Sequence, residues 1–161
     1  MTSLDGIGSW SQLWQVPNTS AAVITADGVV ETFGDPDRPY PLASVTKLLT
    51  TYAVLAGVEE GGLDLDDQAG PPDSTVRHLL AHTSGYGFES DAEVVSRPGE
   101  KRIYSNRGIE ELVTYFAEVT GIGFETYLTE GVLEPLGLTA TELTGSAAFA
   151  ARSTVSDLAR F

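Results

Sequence analysis

Along this chain the apolar positions group first into two short β-branched runs and then into patterns of helix length. The two runs lie in "SAAVITADGVVETF", residues 20–33, on either side of Asp27-Gly28. Both turn residues tolerate positive φ, so the stretch predicts a β-hairpin. Ahead of it, "LDGIGSWSQLW" carries a partly helical apolar pattern weakened by two glycines. "GDPDRPYP" predicts a loop that ends at Pro41, and "ASVTKLLTTYAVL" then opens a helix from Ala43 or Ser44 to about Glu60, closed by Gly61-Gly62. "DSTVRHLLAHTSG" predicts a short helix capped by Asp73, Ser74 or Thr75 and stopped near Gly85. "NRGIEELVTYFAEVTG" places Ile109, Leu112, Val113 and Phe116 on one helical face, with Gly121 after its end. "FETYLTEGVLEPLGL" predicts a further helix broken at Pro135, and "STVSDLARF" opens another behind a Ser or Thr cap. Strands are thus expected only in the first third.

The expected class is α+β in one domain over 1–161. An N-terminal helix and a β-hairpin of an antiparallel sheet occupy 1–42, and a mostly helical region fills 43–161. Its 161 residues, 42% of them hydrophobic and 20% charged, suit a single core. No apolar run approaches the roughly 18–20 residues that span a bilayer. The N-terminus lacks the basic start and apolar stretch of a secretory signal, so the expected address is cytoplasmic. The absence of cysteine excludes disulfides, thiolate metal sites and cysteine nucleophiles. A net charge of −14 repels phosphate backbones and anionic membranes, which argues against nucleic-acid and membrane partners.

The candidate chemistry begins at Ser44 and Lys47, which share one helix face at i and i+3. Val45, Leu48 and Leu49 surround this lysine in the sequence. An amine among apolar groups loses hydration of its charged form and becomes able to take a serine proton. The plainer alternative is a snorkelling lysine behind a capping serine. The second candidate is "YSN", where Tyr104 serves as a proton carrier and Asn106 stands beside it. The alternative there is that Asn106 caps the following helix and Tyr104 packs behind it. His78 and His82, four apart, suggest two imidazoles on one helix face for a metal, without a third ligand in evidence. Asp64, Asp66 and Asp67 lack EF-hand spacing and suit a solvated turn. Glu110 and Glu111 suit the first turn of a helix, and Trp10 and Trp14 suit core contacts.

"ASVTK" at 43–47, "YSN" at 104–106 and "VRHLLAHTSGY" at 76–86 resemble the serine β-lactamase and penicillin-binding-protein superfamily. The similarity is strongest to the class C β-lactamases, D-alanyl-D-alanine peptidases and related esterases. "LEPLGLTAT" at 133–141 and "STVSDLARF" at 153–161 extend it over nearly the whole chain. The resemblance implies an acyl-transfer hydrolase acting on ester, amide or β-lactam carbonyls, without metal or other cofactor. It implies Ser44 as acylated nucleophile, Lys47 and Tyr104 as its proton carriers, and Asn106 as a ligand for the substrate amide or for Lys47. The backbone N–H of Ser44 would form half of an oxyanion hole. The family's third motif, Lys-Thr-Gly or His-x-Gly on a core strand, has no counterpart here. The expectation is therefore an N-terminal portion of the fold without its C-terminal strands, completed by another chain or by self-association. The alternative is a non-catalytic penicillin-binding or interaction module.

Overall fold

The computed structural model describes Leu4, Ser11 and residues 13–161. Most of the N-terminal helical pattern, with Trp10, lies outside the described residues. Trp14 is exposed and is not the core contact that its sequence position suggested.

Strands β1 (Ala21–Thr25) and β2 (Gly28–Phe33) form the expected antiparallel hairpin, with Ala21 opposite Phe33 and Thr25 opposite Gly28. The turn centres on Ala26-Asp27, and Gly28 rather than Asp27 takes the positive φ, at 111°. The register shifts by one between Val23 and Ile24, a bulge that adds twist to the ribbon. A second antiparallel sheet joins β3 (Tyr40–Pro41), β4 (Glu142–Leu143) and β5 (Ala151–Ser153) in the order β3-β5-β4. It overturns the expectation that strands stop after the first third. Elements of two or three residues are too short to display a period, so their apolar pattern carried no signal.

A single 3-10 turn at Ala43–Val45 leads into α1 (Thr46–Glu59). There follow α2 (Val76–Leu80), α3 (Asn106–Thr120), α4 (Phe124–Leu128) with a π-type turn at Thr129–Leu133, and α5 (Val155–Leu158). Thr75 caps α2 in a reciprocal box: its hydroxyl accepts the His78 N–H, while His78 Nδ1 accepts the Thr75 N–H at 3.2 Å. Helices with small antiparallel sheets make the chain α+β, as the sequence implied. The core collects Leu49, Ala53 and Val54 of α1, Val76 and Leu79 of α2, and Ile109, Leu112 and Phe116 of α3. Phe116 meets Phe124 edge-on at 5.6 Å and Tyr127 at 4.7 Å. The opposite stripe of α1, Leu48, Tyr52 and Leu55, is exposed, as is Val45 in the preceding turn.

Helices α1 and α3 approach closely because Gly57 has no side chain. A Cβ there would lie 2.6 Å from Phe116 Cε2 and 3.1 Å from a Leu63 methyl. Alanine favours a helix interior over glycine by about 1 kcal/mol, but overpacking a rigid buried ring costs about 1–3 kcal/mol. Gly57→Ala is therefore expected to lower the thermal midpoint. An unchanged or raised midpoint in calorimetry would show that the two helices can separate without penalty.

Candidate active site

The approach to α1 is bent sharply. Leu42 N–H donates to the Ala151 carbonyl at 2.8 Å, and Val45 N–H donates back to the Leu42 carbonyl at 3.0 Å. Between them Ala43 is held at φ 45°, in the left-handed region that a side-chain-bearing residue enters at a cost of about 1–3 kcal/mol. The Thr46 hydroxyl accepts the Ala151 N–H at 3.0 Å, so both sides of Ala43 are tied to β5. The result is an exposed Ser44 in the 3-10 turn that leads into the 14-residue α1.

One turn on, Lys47 is only 6% exposed. Its Nζ donates to Asn106 Oδ1 at 2.7 Å, to the Ala148 carbonyl at 2.8 Å and to Ser44 Oγ at 3.4 Å. These surroundings correct the sequence-based picture of an amine among apolar groups. Val45 and Leu48 turn outward, and the lysine instead points into three oxygen acceptors. A buried amine without acceptors would be strongly disfavoured, which is why three separate segments meet here. Thr50, three residues further along α1, donates to the Ala147 carbonyl at 2.7 Å. Ser146 holds that loop from behind: its hydroxyl accepts the Ala148 N–H at 3.1 Å and donates to Glu110 Oε1 at 2.6 Å. The same Glu110 oxygen accepts from Ser90 at 2.9 Å. Glu110 thus bridges two loops, while Glu111 pairs with Arg107 at 2.9 Å.

The cap of α3 is Ser105, whose hydroxyl accepts the Gly108 N–H at 2.9 Å and donates to the Gly87 carbonyl at 2.6 Å. Asn106 is therefore not the cap, and its side-chain oxygen is left for Lys47. Tyr104 lies immediately before, 37% exposed. Lys47 Nζ stands 4.7 Å from its ring centroid, a distance at which the ring face attracts a cation. Burial works to raise the phenol. Hydrogen bonding with Ser44 and Lys47, and the positive charges of Lys47 and Arg102, outweigh it and bring the phenol below its ordinary 10.0. Phe88 stacks on the same ring, with centroids 6.0 Å apart. The structure thus gathers all four residues singled out in the sequence: Ser44, Lys47, Tyr104 and Asn106.

The histidine pair does not share a helix face, because α2 ends at Leu80 and His82 sits beyond it at φ 59°. His78 Nδ1 serves the cap of α2, and His82 Nδ1 accepts the Ser105 N–H at 3.1 Å. Among the described residues no group of three or more His, Asp or Glu side chains is placed to hold a metal. Asp64 and Asp67 bond the turn between them, and Asp66 pairs with Arg77 at 3.0 Å. The sequence missed the Ala148 carbonyl altogether, since a backbone acceptor about 100 residues from its partner leaves no residue signature. Among the described residues no helix is long and apolar enough to cross a membrane.

The profile of the Beta-lactamase family matches residues 10–160. A β-lactamase from Mycobacterium bovis superposes with a TM-score of 0.93 and 50% identity, over 99% of this chain and 58% of its own. A class C β-lactamase mutant shares the fold at a TM-score of 0.86 and 19% identity, over 98% of this chain and 62% of its own. Monacolin J acid methylbutanoyltransferase of Aspergillus terreus is 30% identical over 64% of this chain and 37% of its own length. The chain thus spans somewhat over half of the Mycobacterium bovis protein and little more than a third of the Aspergillus terreus one. With the profile covering nearly every residue and the fold reproduced throughout, the chain belongs to the Beta-lactamase family.

Proposed function

We propose that this chain carries the acylating centre of a serine hydrolase acting on small ester, amide or β-lactam carbonyls. The observation that carries the reading is the convergence on one buried amine: Lys47 Nζ joins Ser44 Oγ to Asn106 Oδ1 beside the Tyr104 ring. Tyr104, its phenol lowered by the neighbouring cations, takes the Ser44 proton as the hydroxyl attacks the carbonyl carbon. Lys47, in contact with the Ser44 and Tyr104 oxygens, passes that proton from Ser44 to Tyr104, gaining one proton as it gives up another, and holds Ser44 and Asn106 in register. The Ser44 backbone N–H receives the developing oxyanion. Collapse expels the alcohol or amine, protonated from Tyr104, and leaves an ester on Ser44. Water, or an acceptor alcohol, then releases the acyl group by the reverse sequence. Asn106, its Oδ1 engaged by Lys47, offers its Nδ2 to the substrate amide carbonyl.

The exposed stripe of Val45, Leu48, Tyr52 and Leu55 calls for a covering layer, since a contiguous apolar face on a helix is otherwise an association site. We propose that a strand-bearing segment packs there and completes the site, either contiguous with this chain or supplied by another. Sedimentation of this chain should then show concentration-dependent association that Leu48→Ser with Leu55→Ser reduces. Strictly monomeric behaviour at high concentration would show that the stripe needs no cover.

Incubation with a fluorescent penicillin or a fluorophosphonate, followed by intact mass and peptide mapping, should place one adduct on Ser44. Ser44→Ala should abolish it. Lys47→Arg should slow it by about a hundredfold or more, because a planar guanidinium does not fit three convergent oxygens. An adduct elsewhere, or full reactivity of the arginine variant, would sink the assignment. Absence of any adduct on the folded chain with its covering segment would favour a non-catalytic binding module. The pH profile tests Tyr104 separately. Its reactive form is deprotonated, so acylation should rise with pH through an apparent pKa below 10.0 and then level off. Tyr104→Phe should remove that limb; a rise continuing unchanged in the variant would exclude the phenol as base.

A further inference from the structure

We propose that His82 is a positioning residue that clasps the segment carrying Tyr104 from both sides and fixes the phenol against Ser44. The proposal rests on the acylation reading above. It arises from a bracket in the hydrogen-bonding pattern. The His82 carbonyl accepts the Ile103 N–H at 2.8 Å, one residue before Tyr104. The His82 ring nitrogen Nδ1 accepts the Ser105 N–H at 3.1 Å, one residue after it. Between these two bonds the imidazole lies against the Tyr104 ring, centroids 4.6 Å apart and planes inclined at 40°. One residue therefore fixes the backbone on each side of Tyr104 and the face of its side chain.

The arrangement depends on three local conditions. The backbone of His82 turns into the left-handed region, φ 59°, which aims its carbonyl and side chain at the same neighbouring segment. The residue is only 9% exposed, and the Nδ1 nitrogen is already engaged by the Ser105 N–H. The imidazole must also be neutral, with its proton on Nε2, because an N–H at Nδ1 would face the N–H of Ser105. Burial, then the charges of Arg102 and Lys47, hold its pKa down at about 4, which keeps it neutral in ordinary buffers. Arg102 comes from the same extended segment as Tyr104, Lys47 comes from α1, and the Tyr104 phenol is the titratable group on the ring face.

Apart from its contacts with Ser44 and Lys47, Tyr104 is loosely enclosed. It is more than a third exposed, it precedes the first turn of α3, and Phe88, a further ring neighbour, is half exposed. Displacing a proton carrier by about 1 Å can cost a reaction about a hundredfold. Stable placement of the Tyr104-Ser105-Asn106 stretch therefore has a direct chemical consequence.

The test compares His82→Ala with His82→Asn. Asparagine places its Oδ1 where the imidazole has Nδ1, and it tolerates positive φ, but it carries no ring and no titration. Expected for alanine is a loss of about ten- to a hundredfold in the rate of Ser44 acylation at saturating probe, with noncovalent affinity for the probe unchanged. Asparagine should restore much of that rate. Both readouts are taken alongside amide hydrogen exchange at Ser105, which should speed up in His82→Ala and remain slow in His82→Asn, and the nitrogen shifts of the wild-type ring should report the Nε2–H tautomer. Alanine acylating at the wild-type rate, asparagine failing to rescue, or an Nδ1–H tautomer would each overturn the proposal while leaving the nucleophile assignment intact. Should the wild-type chain acylate nowhere, the proposed function falls, and unchanged Ser105 exchange in His82→Ala would dismiss the clasp as well.

Discussion

A lysine amine cannot be withdrawn from water without acceptors, and this structure is arranged around that constraint. Lys47 of α1 reaches Asn106 of α3, the Ala148 carbonyl of the loop before β5, and Ser44 at its own helix start. Thr46 and Thr50, from the same helix, bond β5 and the Ala147 carbonyl. The helix that carries the serine is thus secured by a polar seam on one side and by Leu49, Ala53 and Val54 on another. Members of the family to which the chain belongs are enzymes, and this seam is where a polar interior and an exposed hydroxyl come together.

The left-handed backbone of Ala43 belongs to the same economy of constraints. Its strain persists because Leu42 and Thr46 are both bonded to Ala151, which over-determines the residue between them. The reward is position: Ser44 stands clear of the helix barrel, accessible, while its neighbour Thr46 is fully buried. Similarly, Ser146 and Glu110 keep the Ala147–Ala148 carbonyls turned toward α1. Supporting contacts of this kind are distributed over segments far apart in the chain.

Two faces of α1 have opposite roles. One is buried against α3 at a distance set by Gly57, the other is a run of exposed apolar side chains. The same polarity appears in the hairpin, where Ile24, Val29 and Val30 are exposed. These surfaces are continuous in character with a core, not with a solvated exterior, and they fit a chain that spans 58% of its Mycobacterium bovis relative.

Periodicity alone determined the hairpin, the long helices and the amphipathic face of Ile109, Leu112 and Phe116, because such elements are specified by residues near one another. Ser44, Lys47, Tyr104 and Asn106 were legible for a similar reason: each pair sits within four residues, at a spacing that permits contact. Tertiary structure decided what lay between the pairs. Whether Ser105 or Asn106 caps α3 depends on whether Lys47 arrives to claim the asparagine. Whether His82 binds a metal or a backbone amide depends on where the chain turns after Leu80. Strand β3 exists only through pairing with β5 across more than 100 residues, β4 and β5 are too short to show a period, and the Ala148 carbonyl is a group that every residue possesses. Sequence specifies which side chains are available; only the fold decides which acceptor a buried donor meets, because that choice is made by long-range satisfaction of polar groups rather than by local preference.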